Sequence, residues 1–424
     1  MKSIVKDMGL AKEGKKRIEW VETFMPVLKE IGKELKESGV VKGKKIAMCI
    51  HLEPKTCVLA KVLHEAGAEV CMTGCNPLSV QDSAAAAATE FATVFAWRGM
   101  TTEEYYENID RMLEWEPDVL IDDGADAIWR IHEKYPELAK KIFGASEETT
   151  TGVNRLRAME EKGILKFPVI AVNDSNMKYL FDNRYGTGES ALYGFLNATN
   201  LTIRGKKVVV AGFGWVGRGI AKNMRALGAR VTITEVDPVR AVEAYFEGFD
   251  VKKMRDAITD ADIIITATGV KDIVTREHFE KAKNGAIFCN AGHFNNEVNL
   301  EDLDSITDSK EDIRYFGEPY NSYLIRKYSL KNGKTIFVIG EGRLVNLVAG
   351  QGHATEYMDL SFAMQALAVK QLIQDHTKLE AKVYNIPKEL DDKVALIKLK
   401  AAGCDIDNLT EEQIKYINDF AEGT

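Results

Sequence analysis

The chain has 424 residues, 45% hydrophobic and 28% charged, with a formal net charge of −8. That length allows two or three domains with well-filled cores, and the composition is that of an ordinary soluble globular protein. The acidic balance argues against a dedicated nucleic-acid binder. No apolar run is long enough to span a bilayer, and the first residues have no signal-peptide core, so a cytoplasmic protein is expected.

The first thirty residues read as a polar, charged helix. Strand and helix patterns then alternate. KKIAMCI, AEVCMTG, ATVFAW and DVLID are apolar strand-like runs, separated by TCVLAKVLHEAG, DSAAAAATE and EEYYENIDRMLEW, which read as helices. Such alternation with apolar strands predicts a parallel sheet covered on both faces. A second series begins at Lys206, with strands KKVVVAG, ARVTITE, DIIITATG, GAIFCNAG and TIFVIGEG. The expected fold is α/β, with two doubly wound Rossmann-like parallel-sheet domains and a helical C-terminal segment. The junction is placed near NRYGTGES, residues 183–190, and the long helical pattern MDLSFAMQALAVKQLIQDH follows the second unit. The six cysteines are scattered, mostly in apolar runs, and read as small buried hydrophobes; no metal site is expected.

Gly212, Gly214 and Gly217 form GxGxxG directly after a β-branched strand and before a helical pattern. Gly212 permits the tight turn, Gly214 lets backbone approach a pyrophosphate, and Gly217 allows close helix packing, while the helix N-terminus attracts phosphate. Glu235 ends the next strand, eighteen residues beyond Gly217. Its carboxylate suits the adenosine ribose hydroxyls and favours NAD over NADP. Arg240 would suit a 2′-phosphate, but Glu235 would repel one.

Functional groups of doubly wound sheets gather at the carboxyl ends of strands. Here those ends carry His51, Asn76, Asp122 with Asp123, and Asn173 with Asp174. SEETTTG, residues 146–152, suits a polyhydroxylated ligand such as ribose; it equally suits a helix start capped by Ser146 or Thr149. Lys178 and Asp182 stand four apart. On a helix they share a face, either as a surface ion pair or as a lysine poised to take a hydroxyl proton.

The stretches IHLEPKT, CNPLSVQD, VFAWRG, IDDGAD, SEETTTG, NDSNMKYLFDNRYGTGES, VVVAGFGWVGRG, NAGHFNNE and GEGRLVNLVAGQGH, in this order, resemble the S-adenosyl-L-homocysteine hydrolase family. The resemblance implies reversible hydrolysis of a nucleoside thioether to the nucleoside and L-homocysteine, with NAD as a recycled catalyst. Oxidation of the ribose 3′-hydroxyl acidifies C4′–H; elimination, water addition and re-reduction follow. By that resemblance Lys178 with Asp182 handles the 3′-hydroxyl proton, and Glu148 and Thr150 hold the ribose hydroxyls. Asp123 with His51 forms an acid/base pair near C4′ and C5′. His293, with Phe294, lies by the substrate tail at a gate. Thr149, Thr151, Asn183, Asn346 and the glycine loop hold NAD, and His353 lies near the base and the hinge. It also implies a substrate domain of residues 1–183 completed by about 345–375, an NAD domain of 184–344, a C-terminal segment of 376–424, and a homo-oligomer, tetrameric in the family.

The chain departs from the family pattern where the base is read. His51-Leu52-Glu53-Pro54-Lys55-Thr56 carries Glu53 and Lys55 where the common pattern has Thr and Glu. Lysine only donates and ionised glutamate only accepts. Lys55 facing position 6 and Glu53 facing N1 would suit hypoxanthine, as in S-inosyl-L-homocysteine; a Glu53–Lys55 pair that leaves adenine to backbone groups is the plainer reading. Thr187 stands where many members have Cys. A 2-hydroxy-acid dehydrogenase also fits two Rossmann-like units, but leaves SEETTTG and the Lys178/Asp182 pair unexplained.

Overall fold

The computed structural model describes residues 1–313 and 325–420. Its strands form two eight-stranded sheets. The first is wholly parallel and runs, edge to edge, through Ile4–Val5, Thr93–Ala96, Glu69–Thr73, Lys45–Cys49, Val119–Asp122, Gly144–Glu147, Val169–Ala171 and Val383–Asn385. The second runs through Asp250–Val251, Arg230–Thr234, Lys207–Ala211, Ile263–Thr266, Ile287–Asn290 and Thr335–Ile339 in parallel, then Ile325–Leu330 and Thr307–Ile313 antiparallel.

Central strands such as VVVA and IIIT are buried on both faces because helices cover each side. The period of two is visible in the packing. Val208, Val210, Ile263 and Ile265 join one apolar cluster, while Val209 and Ile264 join the cluster on the opposite face. The first sheet has its own core. After Val345 and Val348, which pack with the second sheet, the chain returns, and the helix Thr355–Asp375 buries Leu360, Phe362 and Leu367 in the first sheet's core. Among the described residues no helix is long and apolar enough to cross a membrane.

Three local expectations are corrected. The N-terminus is not one helix. Ile4 and Val5 pair with Phe95 and Ala96 as an edge strand, and Pro26, which cannot continue a helix, starts a second one, Pro26–Ser38. The segment after Asp375 is not wholly helical, since Val383–Asn385 extends the first sheet beside Val169–Ala171. The second sheet ends on an antiparallel pair, whose outer strand TDSKEDI has no apolar alternation because it is an edge largely facing solvent.

Candidate active site

In each sheet the strand order reverses at the centre. The reversal lies between Lys45–Cys49 and Val119–Asp122 in the first sheet, and between Lys207–Ala211 and Ile263–Thr266 in the second. Side crossovers diverge there and leave a crevice beyond the carboxyl ends. Both crevices open onto one cavity of about 770 Å³. Of the residues predicted from sequence, His51, Glu53, Lys55, Thr56, Asp123 and Glu148 line it from the first sheet. So do Thr149, Thr150, Thr151, Lys178, Asp182 and Asn183, and Gly212, Gly214, Glu235, His293, Asn346 and His353 complete the wall. Gly217 lies outside, as do the strand-end candidates Asn76, Asp122, Asn173 and Asp174 and the gate candidate Phe294; a Cβ at Gly217 would fall 2.0 Å from the Gly212 carbonyl oxygen, which is the close helix packing expected of it.

The centre of the cavity is a buried charge cluster. Lys178 Nζ donates to Asn183 Oδ1 at 2.7 Å and lies 3.4 Å from Asp182 and 3.6 Å from Glu148. The residues Tyr179–Gly186 form a π-helix. Its wider turn brings both the fourth and the fifth residue after Lys178 to the lysine, where an α-helix would serve the fourth. Burial opposes charge on Lys178, but Asp182 and Glu148 outweigh it and hold its pKa above the usual lysine value. Burial likewise opposes charge on Asp182, yet Lys178 and His353 drive its pKa well below the carboxylate range. Glu148 goes the other way: burial, only partly offset by Lys178, raises it to about 7.

Several holders of this cluster were not anticipated. Ser361 and Gln365, on the helix Thr355–Asp375, donate to the two oxygens of Glu148, and Ser146 donates to Gln365. Asn183 donates to Asn173 at 2.9 Å. His353 Nδ1 sits 3.2 Å from Asp182, and its Nε2 lies 3.0 Å from the Thr187 hydroxyl. A polar stripe in LSFAMQ, at positions 361 and 365 on one helix face, was the available signal.

A second cluster joins the two sheets. His51 Nε2 lies 3.7 Å and His293 Nδ1 3.5 Å from Asp123. Burial lowers His51 to about 4, so its imidazole is neutral near pH 7, and Ser79 fixes it through a 2.7 Å contact with Nδ1. Gly124 follows Asp123 at φ +105°, and a Cβ there would fall 2.3 Å from His293 Nε2. Only glycine lets the histidine come this close. Behind this loop Glu147 accepts from the backbone N–H groups of Gly124, Ala125 and Thr149. At the cavity's other wall Lys55 Nζ lies 2.9 Å from Glu53 and donates to the Gln351 carbonyl at 3.0 Å; Glu53 and Lys55 are both buried. Thr56 donates to the His51 carbonyl oxygen.

The second sheet's wall fits a dinucleotide. Gly212 has φ +93°, and a Cβ there would meet the Ala267 carbonyl oxygen at 2.7 Å; at Gly214 the nearest atom would be Arg240 Nη1 at 3.7 Å, leaving backbone open to the cavity. Glu235 accepts from the Phe213 N–H of the glycine loop at 2.6 Å and from Val236 and Asp237. Arg240 pairs with Asp237 at 3.6 Å. Asn346 lines the same cavity and is buried, and its Oδ1 has no hydrogen-bond partner.

Fold and site thus define a two-sheet α/β enzyme that binds NAD. Residues 2–135 match the S-adenosyl-L-homocysteine hydrolase family, and residues 183–352 match its NAD binding domain. The chain is 53% identical over 421 residues to the S-inosyl-L-homocysteine hydrolase of Methanocaldococcus jannaschii, covering 99% of both chains. It is 51% identical over 421 residues to the protein of that name in Methanopyrus kandleri, covering 99% of this chain and 98% of the other. It is also 50% identical over 410 residues to the adenosylhomocysteinase of Thermoplasma acidophilum, covering 96% and 98%. The chain belongs to the S-adenosyl-L-homocysteine hydrolase family.

Proposed function

We propose that this enzyme reversibly hydrolyses the C5′ thioether of an S-nucleosyl-L-homocysteine, releasing nucleoside and L-homocysteine. The observation that carries this is the Lys178–Asp182–Glu148 cluster facing the glycine cradle across one cavity. Bound NAD supplies a hydride acceptor and donor for C3′ of the ribose. Gly212, Gly214, Glu235, Thr149, Thr151, Asn183 and Asn346 would hold it. Lys178 and Asp182 rest as ammonium and carboxylate, so together they grip the 3′-hydroxyl as donor and acceptor. Taking its proton requires neutral lysine, so this step accelerates as pH rises. Glu148 and Thr150 hold the ribose hydroxyls. Asp123, neutral His51 and His293 stand together as the proton-transfer set for C4′ and the leaving thiol. Residues 1–183 with about 345–375 form the substrate unit, 184–344 the NAD unit, and 376–424 a C-terminal arm. A cytoplasmic homo-oligomer completes the reading, with exposed Val239, Tyr245 and Phe246 offering an apolar face to another subunit; light scattering tests the assembly. Incubating NAD-loaded protein with the thioether tests the reaction: free thiol without net NADH supports it, and NADH without thiol indicates a dehydrogenase.

The Glu53–Lys55 pair is the one the plainer reading expected; what supports hypoxanthine as the base is that the relatives at 53% and 51% identity are named S-inosyl-L-homocysteine hydrolases, and the pair can serve it. The Lys55 ammonium has three donors, and Glu53 and the Gln351 carbonyl take two. The third, in a buried wall, suits the O6 acceptor, and the free Glu53 oxygen suits N1–H. Adenine would have to engage the pair in the opposite sense, with N6–H on Glu53 and N1 on Lys55. Relative kcat/KM for the S-inosyl and S-adenosyl compounds decides; equal or better use of the adenosyl compound removes the preference.

A further inference from the structure

The helix Lys388–Ala401 lies in the arm in which the sequence shows no chemistry. Its Asp391 is buried, and both carboxylate oxygens are aimed at one target. Oδ1 accepts from the Met177 N–H at 2.8 Å. Oδ2 accepts from the Asn176 N–H at 2.9 Å and from Asn176 Nδ2 at 3.3 Å. These residues open the one-turn helix Asn176–Lys178, whose first N–H groups have no partner within the turn. The usual source of a cap is the residue just before the helix. Here that residue is Ser175; its backbone is extended as a cap requires, but its side chain makes no cap bond and its buried Oγ has no partner. The acceptor comes instead from a residue 215 positions later. The arm that brings it is itself fixed, by the Val383–Asn385 strand pairing and by the ion pair of Lys393 with Glu34.

We infer that Asp391 is a positioning residue for Lys178, so that the C-terminal arm sets the register of the proton-accepting lysine against the 3′-hydroxyl. The two N–H groups it holds immediately precede Lys178, which leads directly into the π-helix that carries Asp182 and Asn183. A shift of the turn would move Nζ relative to Glu148 while leaving the glycine loop, Glu235 and the Glu53–Lys55 pair, which stand on other elements, in place. The inference rests on the role proposed for Lys178.

The test uses full-length, NAD-loaded protein mixed with inosine and, separately, with adenosine. The appearance of reduced nicotinamide absorbance reports oxidation at C3′. Asp391→Asn, which puts a donor where one N–H now finds an acceptor, is expected to slow that step ~10- to 100-fold with KM and NAD content within about twofold. Lys393→Gln, which loosens the same helix without touching the cap, serves as the stability control. At matched loss of thermal stability it should leave the rate within about twofold. If Asp391→Asn does not fold, Asp391→Ser, which keeps one acceptor, is read the same way. A rate in the Asp391 variant no slower than in Lys393→Gln overturns the inference alone. A normal rate in Lys178→Gln overturns the role of the lysine and the inference with it.

Discussion

Replacing Asn346 by leucine separates a ligand-holding residue from a packing residue by the sign of two effects. Asn346 is 1% exposed, and its Oδ1 is buried without a hydrogen-bond partner. A buried unsatisfied acceptor costs about 1–3 kcal/mol, and leucine, branched at the same atom but without polar groups, removes it. NAD-free protein should therefore gain about 1–2 kcal/mol, raising Tm by roughly 2–4 °C per kcal/mol. NAD binding should weaken, because the acceptor for the carboxamide is gone. Losing about 1–2 kcal/mol there is a ~5- to 30-fold rise in Kd. Calorimetric melts of stripped protein and NAD titration by calorimetry read the two effects. A residue that merely packs would lower Tm and leave Kd alone, and that pair of results would refute the assignment of Asn346 to the cofactor.

Lys178→Gln should lower kcat by ~10²- to 10⁴-fold with little change in KM, measured by thiol release, because it removes the proton acceptor and leaves the binding walls in place. The same variant leaves Glu148 and Asp182 buried without their cation, so its Tm should fall more at pH 8 than at pH 5, where carboxyls are more readily protonated. In the parent protein Asp122 and Glu148 are raised by burial to about 7, and Asp359 to about 6. A carboxyl whose folded pKa is raised gives stability that is full below its unfolded pKa of about 4 and is lost as pH rises through the folded value. His51, lowered to about 4, and His132 and His278, also lowered by burial, give the opposite slope below their unfolded value, but burial raises Glu147 and Glu297 too, so the carboxyls outnumber the imidazoles. NAD-free Tm is therefore expected to fall between pH 5 and 7 and level off above 8; a rise across that window contradicts the burial argument. Lys55→Gln should cut kcat/KM for S-inosyl-L-homocysteine by about tenfold or more and change the S-adenosyl compound less, since the charged donor facing O6 is lost.

The parts legible in the sequence were those written in local chemistry. Apolar runs between helical periods gave both parallel series, and GxGxxG with Glu235 gave the NAD wall. Strand-end residues such as His51 and Asp123 were legible because strand order reverses beside them. What stayed hidden depends on long-range placement. Ser361 and Gln365 meet Glu148 more than two hundred positions away, and Asp391 meets Asn176 at a similar separation. The edge strands Ile4–Val5 and Val383–Asn385 are too short for any period to show. The π-helix had no signature either, since Lys178 and Asp182 fit an α-helical spacing equally well and only the Asn183 contact reveals the wider turn.

The most direct test of the account is free-thiol release by NAD-loaded protein from S-inosyl- and S-adenosyl-L-homocysteine, with nicotinamide absorbance followed in the same cuvette. The account predicts thiol in proportion to substrate consumed, no net NADH, and the higher kcat/KM for the inosyl compound. NADH accumulating without thiol, or neither signal from either compound with the cofactor bound and oxidised, would contradict it.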